Sequence, residues 1–164
     1  SNRGGDGSAT GTMRRMPGVM MADNRFLEWN DDYAVGHEAI DHDHQHLFAI
    51  VSKLQLALTE GHGQEVIGGI LSDLAEYVGS HFGREELLMA QTHYPDRDEH
   101  VAQHWELTQH LSQLVYEFET GERLMPDRTL LFLRDWLRDH TTTADRRLGD
   151  HLRRMAAVGR PSGR

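Results

Sequence analysis

The chain has 164 residues, 38% of them apolar, a size and composition that suit one domain with a sizeable core. Its formal charge of −9 comes with no basic stripe, so neither a nucleic acid nor an anionic membrane is an expected partner. The absence of cysteine excludes disulfides, thiolate zinc sites and iron–sulfur clusters, and no apolar run is long enough to span a bilayer.

Residues 1–23 are rich in Gly and Ser with scattered Met and no period, which reads as a flexible arm or an expression remnant. The charged-then-apolar run of a secretory leader is missing there, so a soluble, cytoplasmic protein is expected. From Phe26 to Ile40, aromatic and apolar residues are broken by Asn-Asp and Gly, which predicts an extended segment laid across the fold and anchored by Trp29 and Tyr33. Asp41 or Asp43 can cap a first helix of about 43–60, ended by Gly61. Its apolar stripe runs through Leu47, Phe48, Val51, Leu54 and Leu58, and His44 lies three residues before Leu47 on that stripe. A second helix, about 64–90, carries Ile67, Ile70, Leu71, Leu74, Tyr77 and Val78, and its inward face then turns polar at His81 and Glu85. After Tyr94-Pro95, a third helix of about 96–119 sets His100, His104, Leu107, Leu111, Leu114 and Phe118 on one seam. A fourth, about 127–155, aligns Leu130, Leu133, Leu137, His140, Ala144 and Leu148, and the tail 156–164 reads as loose.

Four amphipathic helices with short connections predict an all-α protein, an up-down-up-down antiparallel four-helix bundle with an extended N-terminal arm. That topology gathers the start of the first helix, the end of the second, the start of the third and the end of the fourth at one end of the molecule. The inward polar residues occupy those four places: His44, then His81 and Glu85, then His100 and His104, then His140 and Asp145. Burying five imidazoles and two carboxylates without a cation costs on the order of several kcal/mol for each charged carboxylate, more than a marginally stable domain absorbs. A metal pairs those charges. Asp145 fits least well, because five residues after His140 it lies about 140° around an ideal helix, a mismatch that a local widening can correct. Glu86, Glu99 and Asp139 point elsewhere, as solvated charges or as partners of the inward histidines.

Imidazole with carboxylate and no thiolate suits iron, zinc, copper or manganese. Seven groups exceed one tetrahedral zinc but fit two metals bridged by Glu85 and Asp145, and with one bridging solvent they fall one ligand short of two octahedra. The Glu-x-x-His pattern of ferritin-like di-iron proteins occurs nowhere.

Trp29, Val35-Gly36, Ile40-Asp41-x-x-His44-x-x-Leu47, His81-Phe82-x-x-Glu85-Glu86, Tyr94-Pro95, His100-x-x-x-His104 and Trp136-Leu137-x-x-His140-x-x-x-x-Asp145 together resemble the hemerythrin family, specifically its bacteriohemerythrin group, over about residues 26–153. The resemblance implies a hemerythrin-like bundle over 24–155 and a non-haem di-iron centre of two iron ions, Fe2+ or Fe3+. His100, His104 and His140 would hold one iron and His44 and His81 the other, with Glu85, Asp145 and an oxo or hydroxo group bridging. Dioxygen would bind at the open position of the two-histidine iron, for oxygen storage, delivery or sensing rather than for catalysis. Rival readings are a di-iron enzyme acting on peroxide, ferrous iron or nitric oxide, a structural bundle with adventitious zinc, and an oxygen-sensing domain of a longer signalling protein. Leu137 matches the family's pocket-lining leucine, whereas Thr141 stands where isoleucine is usual. Its hydroxyl can bond the backbone carbonyl one turn earlier, bond the ligand, or admit water. Asp43 replaces a common glutamine, with no clear consequence.

Overall fold

The computed structural model describes residues 26–121 and 126–158, and the arm expected over 1–23 lies outside them. After a 3-10 turn at Asp31–Tyr33, capped by Asn30 whose Oδ1 accepts from Asp32 N at 2.9 Å, come α1 (Glu38–Thr59), α2 (Gln64–Gln91) and α3 (Arg97–Thr120). The last rod is one continuous helix in three parts: α4 (Pro126–His140), a π turn (Thr141–Asp145) and α5 (Arg146–Val158). His140 and Arg146, which flank the π turn, both keep right-handed helical dihedrals, so the rod widens without breaking.

Side chains near the start of α1 meet those near the ends of α2 and of the last rod and the start of α3, which fixes the antiparallel bundle. The turns explain the connections. Gly61, at φ +71°, closes α1 with His62 N donating to Ala57 O at 2.9 Å and Gly61 N to Leu58 O at 3.3 Å, a Schellman ending. α2 ends in the same way, but there His93 takes the left-handed seat at φ 50° and Tyr94 N reaches Met89 O at 2.9 Å. That reversal buries Tyr94 and aims α3 back along α2.

One expectation is corrected at α1. The helix starts at Glu38, five residues earlier than the pattern suggested, with His37 at its cap and no side-chain capping bond. Asp41 instead reaches back from the first turns, its carboxylate accepting from Val35 N at 2.7 Å and Gly36 N at 3.1 Å. It thereby fixes the loop before the helix. α5 clamps the same loop: Arg146 donates to Asp32 O, Arg153 donates to Val35 O, and Gly149 packs against Val35.

The core is split in two. The larger part includes Leu47, Phe48, Val51, Leu54, Leu74, Val78, Phe82, Leu107, Leu111, Leu133 and Leu137. A smaller part, Val35, Ile40, Met89, Tyr94, Leu148 and Leu152, sits toward the end of the bundle where α2 turns into α3. Along α1, α2 and the last rod the polar inward residues fall between members of these two parts, and His100 and His104 lie between Tyr94, just before α3, and Leu107, so they form a layer with apolar material on both sides.

Candidate metal centre

Each rod delivers its share by simple spacing. His44 follows Ile40 by four residues and precedes Leu47 by three, so it shares their buried face. His81 and Glu85, and likewise His100 and His104, are four apart and lie one above the other. His140 closes α4. The π turn then does what an ideal helix cannot, bringing Asp145 beside His140 with Asp145 Oδ1 at 3.0 Å from His140 Nε2. All seven expected residues meet, none more than 5% exposed.

They meet as two groups that share two members. Glu85, His100, His104, His140 and Asp145 can each turn one ligand atom into a common space, and so can His44, His81, Glu85 and Asp145. The carboxylates divide their oxygens between the groups. Glu85 Oε2 lies 3.3 Å from His100 Nε2 and 3.1 Å from His104 Nε2, while Oε1 faces His81 Nε2 at 3.8 Å. Asp145 Oδ1 lies 3.0 Å from His100 Nε2 and from His140 Nε2, while Oδ2 faces His44 Nε2 at 2.9 Å.

These contacts are close, yet they are not hydrogen bonds in direction. Nε2 of His44, His100, His104 and His140 and all four carboxylate oxygens are buried without a hydrogen-bond partner. Native interiors rarely tolerate such orphans, let alone several together. Lone pairs converging on a shared space fit bound cations, which satisfy every one of them.

The electrostatics carry the same imprint. Burial pushes the Glu85 carboxyl up, and so does the charge of Asp145, but His81, His100 and His104 outweigh both and hold it at about 2. Asp145 is held well below the usual carboxylate range, burial again being overcome by His140, His100 and His44. Burial lowers the His100 imidazole, yet Asp145 and Glu85 raise it overall to about 9; His81 is raised too, whereas burial leaves His140 lowered. Without metal, protons on imidazole supply the positive charge.

Around this layer a set of acceptors holds the outer ring nitrogens. Asp43 Oδ2 lies 3.3 Å from His81 Nδ1, Glu86 Oε1 lies 3.1 Å from His104 Nδ1, and Gln103 Oε1 lies 2.9 Å from His140 Nδ1. With Nδ1 donating, the Nε2 lone pair of each ring is directed inward. Glu86 was among the expected partners, whereas Glu99 pairs with Arg147 at 3.3 Å. Asp43 and Gln103 escaped the sequence reading. Asp43 read as a helix cap, although its spacing four residues before Leu47 put it at the edge of the buried stripe; Gln103 carried no signal. Aromatic rings wall the histidines: Phe82 stacks on His104 at 3.7 Å and Trp136 on His140 at 4.3 Å.

Leu137 is buried in the larger core, and Thr141, 1% exposed, opens the π turn. Thr142 and Thr143 spend their hydroxyls on Arg138 O and Asp139 O. Among the described residues Thr141 makes no such bond, so the carbonyl one turn earlier does not take up its hydroxyl.

Residues 35–152 match the family model described as the hemerythrin HHE cation binding domain. The chain belongs to the hemerythrin family. It is 35% identical over 112 residues to a bacteriohemerythrin of Methylococcus capsulatus, covering 68% of this chain and 85% of that protein. A myohemerythrin of Riftia pachyptila is 26% identical, covering 71% and 86%. Among solved structures, a wild-type hemerythrin at 31% identity superposes with a TM-score of 0.71, covering 77% of this chain and 97% of its own. A leucine-to-tyrosine hemerythrin variant gives 0.74 at 29% identity, covering 78% and 98%. The four-helix bundle and the buried His, Glu and Asp layer of this hemerythrin thus stand on fold, sequence and side-chain geometry together.

Proposed function

We infer that this hemerythrin binds dioxygen reversibly at a non-haem di-iron centre, for oxygen storage, delivery or sensing. His100, His104 and His140 hold one iron in this reading, His44 and His81 hold the other, and Glu85 and Asp145 span the two. The observation that supports it is the division of each carboxylate, with one oxygen toward the histidine trio and the other toward the histidine pair. Ligand type alone admits zinc, copper or manganese as well, and family membership favours iron. When bound, the two irons supply the electrons that hold dioxygen and recover them on its release.

The protein's own part is to orient the ligands and to keep the site dry. Two histidines against three leave the His44 and His81 side one ligand short, and we assign the gas to that side. The apolar parts of the core on either side of the layer, with Leu137 among them, exclude water and protons that would convert the centre to inactive ferric iron. Thr141, with its uncommitted hydroxyl, is available to hydrogen-bond the gas. We further place the protein in the cytoplasm; among the described residues no helix is long and apolar enough to cross a membrane.

Reduced protein prepared without oxygen is expected to carry two irons per chain and to develop visible charge-transfer absorption on exposure to air, lost again when oxygen is removed. One metal per chain overturns this reading. Steady turnover of peroxide without a stable adduct overturns it in favour of an enzyme.

A further inference from the structure

The outer nitrogens of the five histidines are not treated alike. His140 Nδ1 faces a neutral amide oxygen of Gln103, and Nδ1 of His44 and of His100 has no hydrogen-bond partner. His104 Nδ1 faces Glu86, a carboxylate 36% exposed and so screened by solvent. His81 is the exception, because its Nδ1 faces Asp43, whose side chain is only 4% exposed. That carboxylate is pinned from three directions. Tyr77 Oη donates to Asp43 Oδ1 at 3.0 Å, and Arg84 donates to Oδ2, the same oxygen that faces His81. Arg84 is 42% exposed, so a chain of contacts runs from solvent through Arg84, Asp43 and His81 to Glu85.

We propose that Asp43 is a positioning residue that lowers the reduction potential of the iron on the His44 and His81 side, and that Arg84 opposes it from the solvent side. The proposal rests on the di-iron reading above. A carboxylate accepting the Nδ1 proton makes an imidazole a stronger donor through Nε2, and a buried negative charge favours the more positive metal ion. Both effects act on His81 and stabilise ferric over ferrous iron. Arg84 shares the oxygen that does this, so its cation withdraws part of the effect. The trio of histidines has no equally buried counterpart, since Gln103 is neutral and Glu86 is 36% exposed against 4% for Asp43. The two irons are therefore tuned apart, the easier one to oxidise lying on the side that lacks a ligand.

The test uses the full chain loaded with ferrous iron, its metal content counted first and its midpoint potential then measured by spectroelectrochemistry. Asp43→Asn keeps the shape and one acceptor oxygen while removing the charge. It is expected to raise the potential by about 59 mV, the equivalent of a tenfold shift in a one-electron equilibrium. Arg84→Met is expected to lower the potential, with two irons retained in both variants. A merely structural role for this network loosens His81 in either variant and moves both potentials the same way. Shifts of one sign, or no shift in either, overturn the proposal. Should Asp43→Asn fail to fold or to load, Arg84→Met decides alone: a fall supports the proposal, and a rise or no change overturns it. Fewer than two irons in the unmodified protein overturns the di-iron reading and the proposal with it, a failure visible in the metal count before any potential is read.

Discussion

Protons and metal compete for the same seven side chains, and the competition sets a pH dependence. The perturbation is a rise in pH from 6.5 to 9. In the metal-free protein burial opposes a charge on His100, but Asp145 and Glu85 raise its imidazole to about 9, and His81 is raised as well. A raised folded value means that protonation stabilises the metal-free fold. That contribution is complete below the unfolded histidine value of about 6.5 and is lost as pH climbs through about 9. Metal binding needs both rings neutral, so loading at pH 7.5 should expel about one proton from His100 and up to about one more from His81. His140, already neutral through burial, gives none. Overall affinity for the metal pair should then rise about tenfold per pH unit for each proton expelled. Ferrous iron titrated without oxygen into weakly buffered protein, with an indicator dye, counts the protons, and thermal melts at pH 6.5, 7.5 and 9 follow the metal-free fold. Loading that releases no proton at pH 7.5, or a metal-free melting temperature that stays flat across the window, would refute the argument.

Three further outcomes are expected. A Cβ on Gly149 would lie 2.9 Å from Val35 Cβ and closer still to Val35 O, so Gly149→Ala should cost about 1–3 kcal/mol and lower the melting temperature by roughly 2–12 °C, read by circular dichroism. Deleting Thr143 should turn the π turn into ordinary helix and leave Leu148 and Leu152 buried, whereas inserting one residue there should rotate both outward and cost about 3–6 kcal/mol; equal damage from the two changes would sink this account. Because Thr141 puts a hydroxyl at a buried position beside His140, the oxygenated protein should autoxidise faster than its Thr141→Ile variant, and matching decay rates of the visible bands would remove the idea.

What the sequence made legible was whatever repeats. Leu47, Val51 and Leu54, or Leu107, Leu111 and Leu114, recur at three and four residues, and that period locates a helix and its buried face without reference to anything distant. The meeting of His44, His81, Glu85, His100, His104, His140 and Asp145 needed one more step, the up-down order imposed by short connections. That step was enough because topology alone assigns each helix terminus to an end of the bundle. The start of α1 was hidden for the opposite reason. Val35, Gly36 and His37 interrupt the apolar pattern, and the loop they form is held by Asp41, Arg146 and Arg153, the last two more than a hundred residues away.

The outer acceptors were hidden because their role is set by distance between rods rather than by spacing within one. Asp43 looks like a cap from α1 alone, and only the approach of Tyr77, His81 and Arg84 on α2 makes it a buried charge. The π turn lies between these cases. Nothing in Thr141-Thr142-Thr143-Ala144-Asp145 announces a widened helix, yet an inward Asp five residues after an inward His requires one. Within the turn Thr141, Ala144 and Asp145 are all buried, so Asp145 joins the inward face while Ala144 and Leu148 keep their places on it. A conflict between helical period and ligand register was thus itself the signal. The fold resolves it by spending one residue where the second carboxylate must enter, while Leu148 and Leu152 still close the apolar floor beneath the layer.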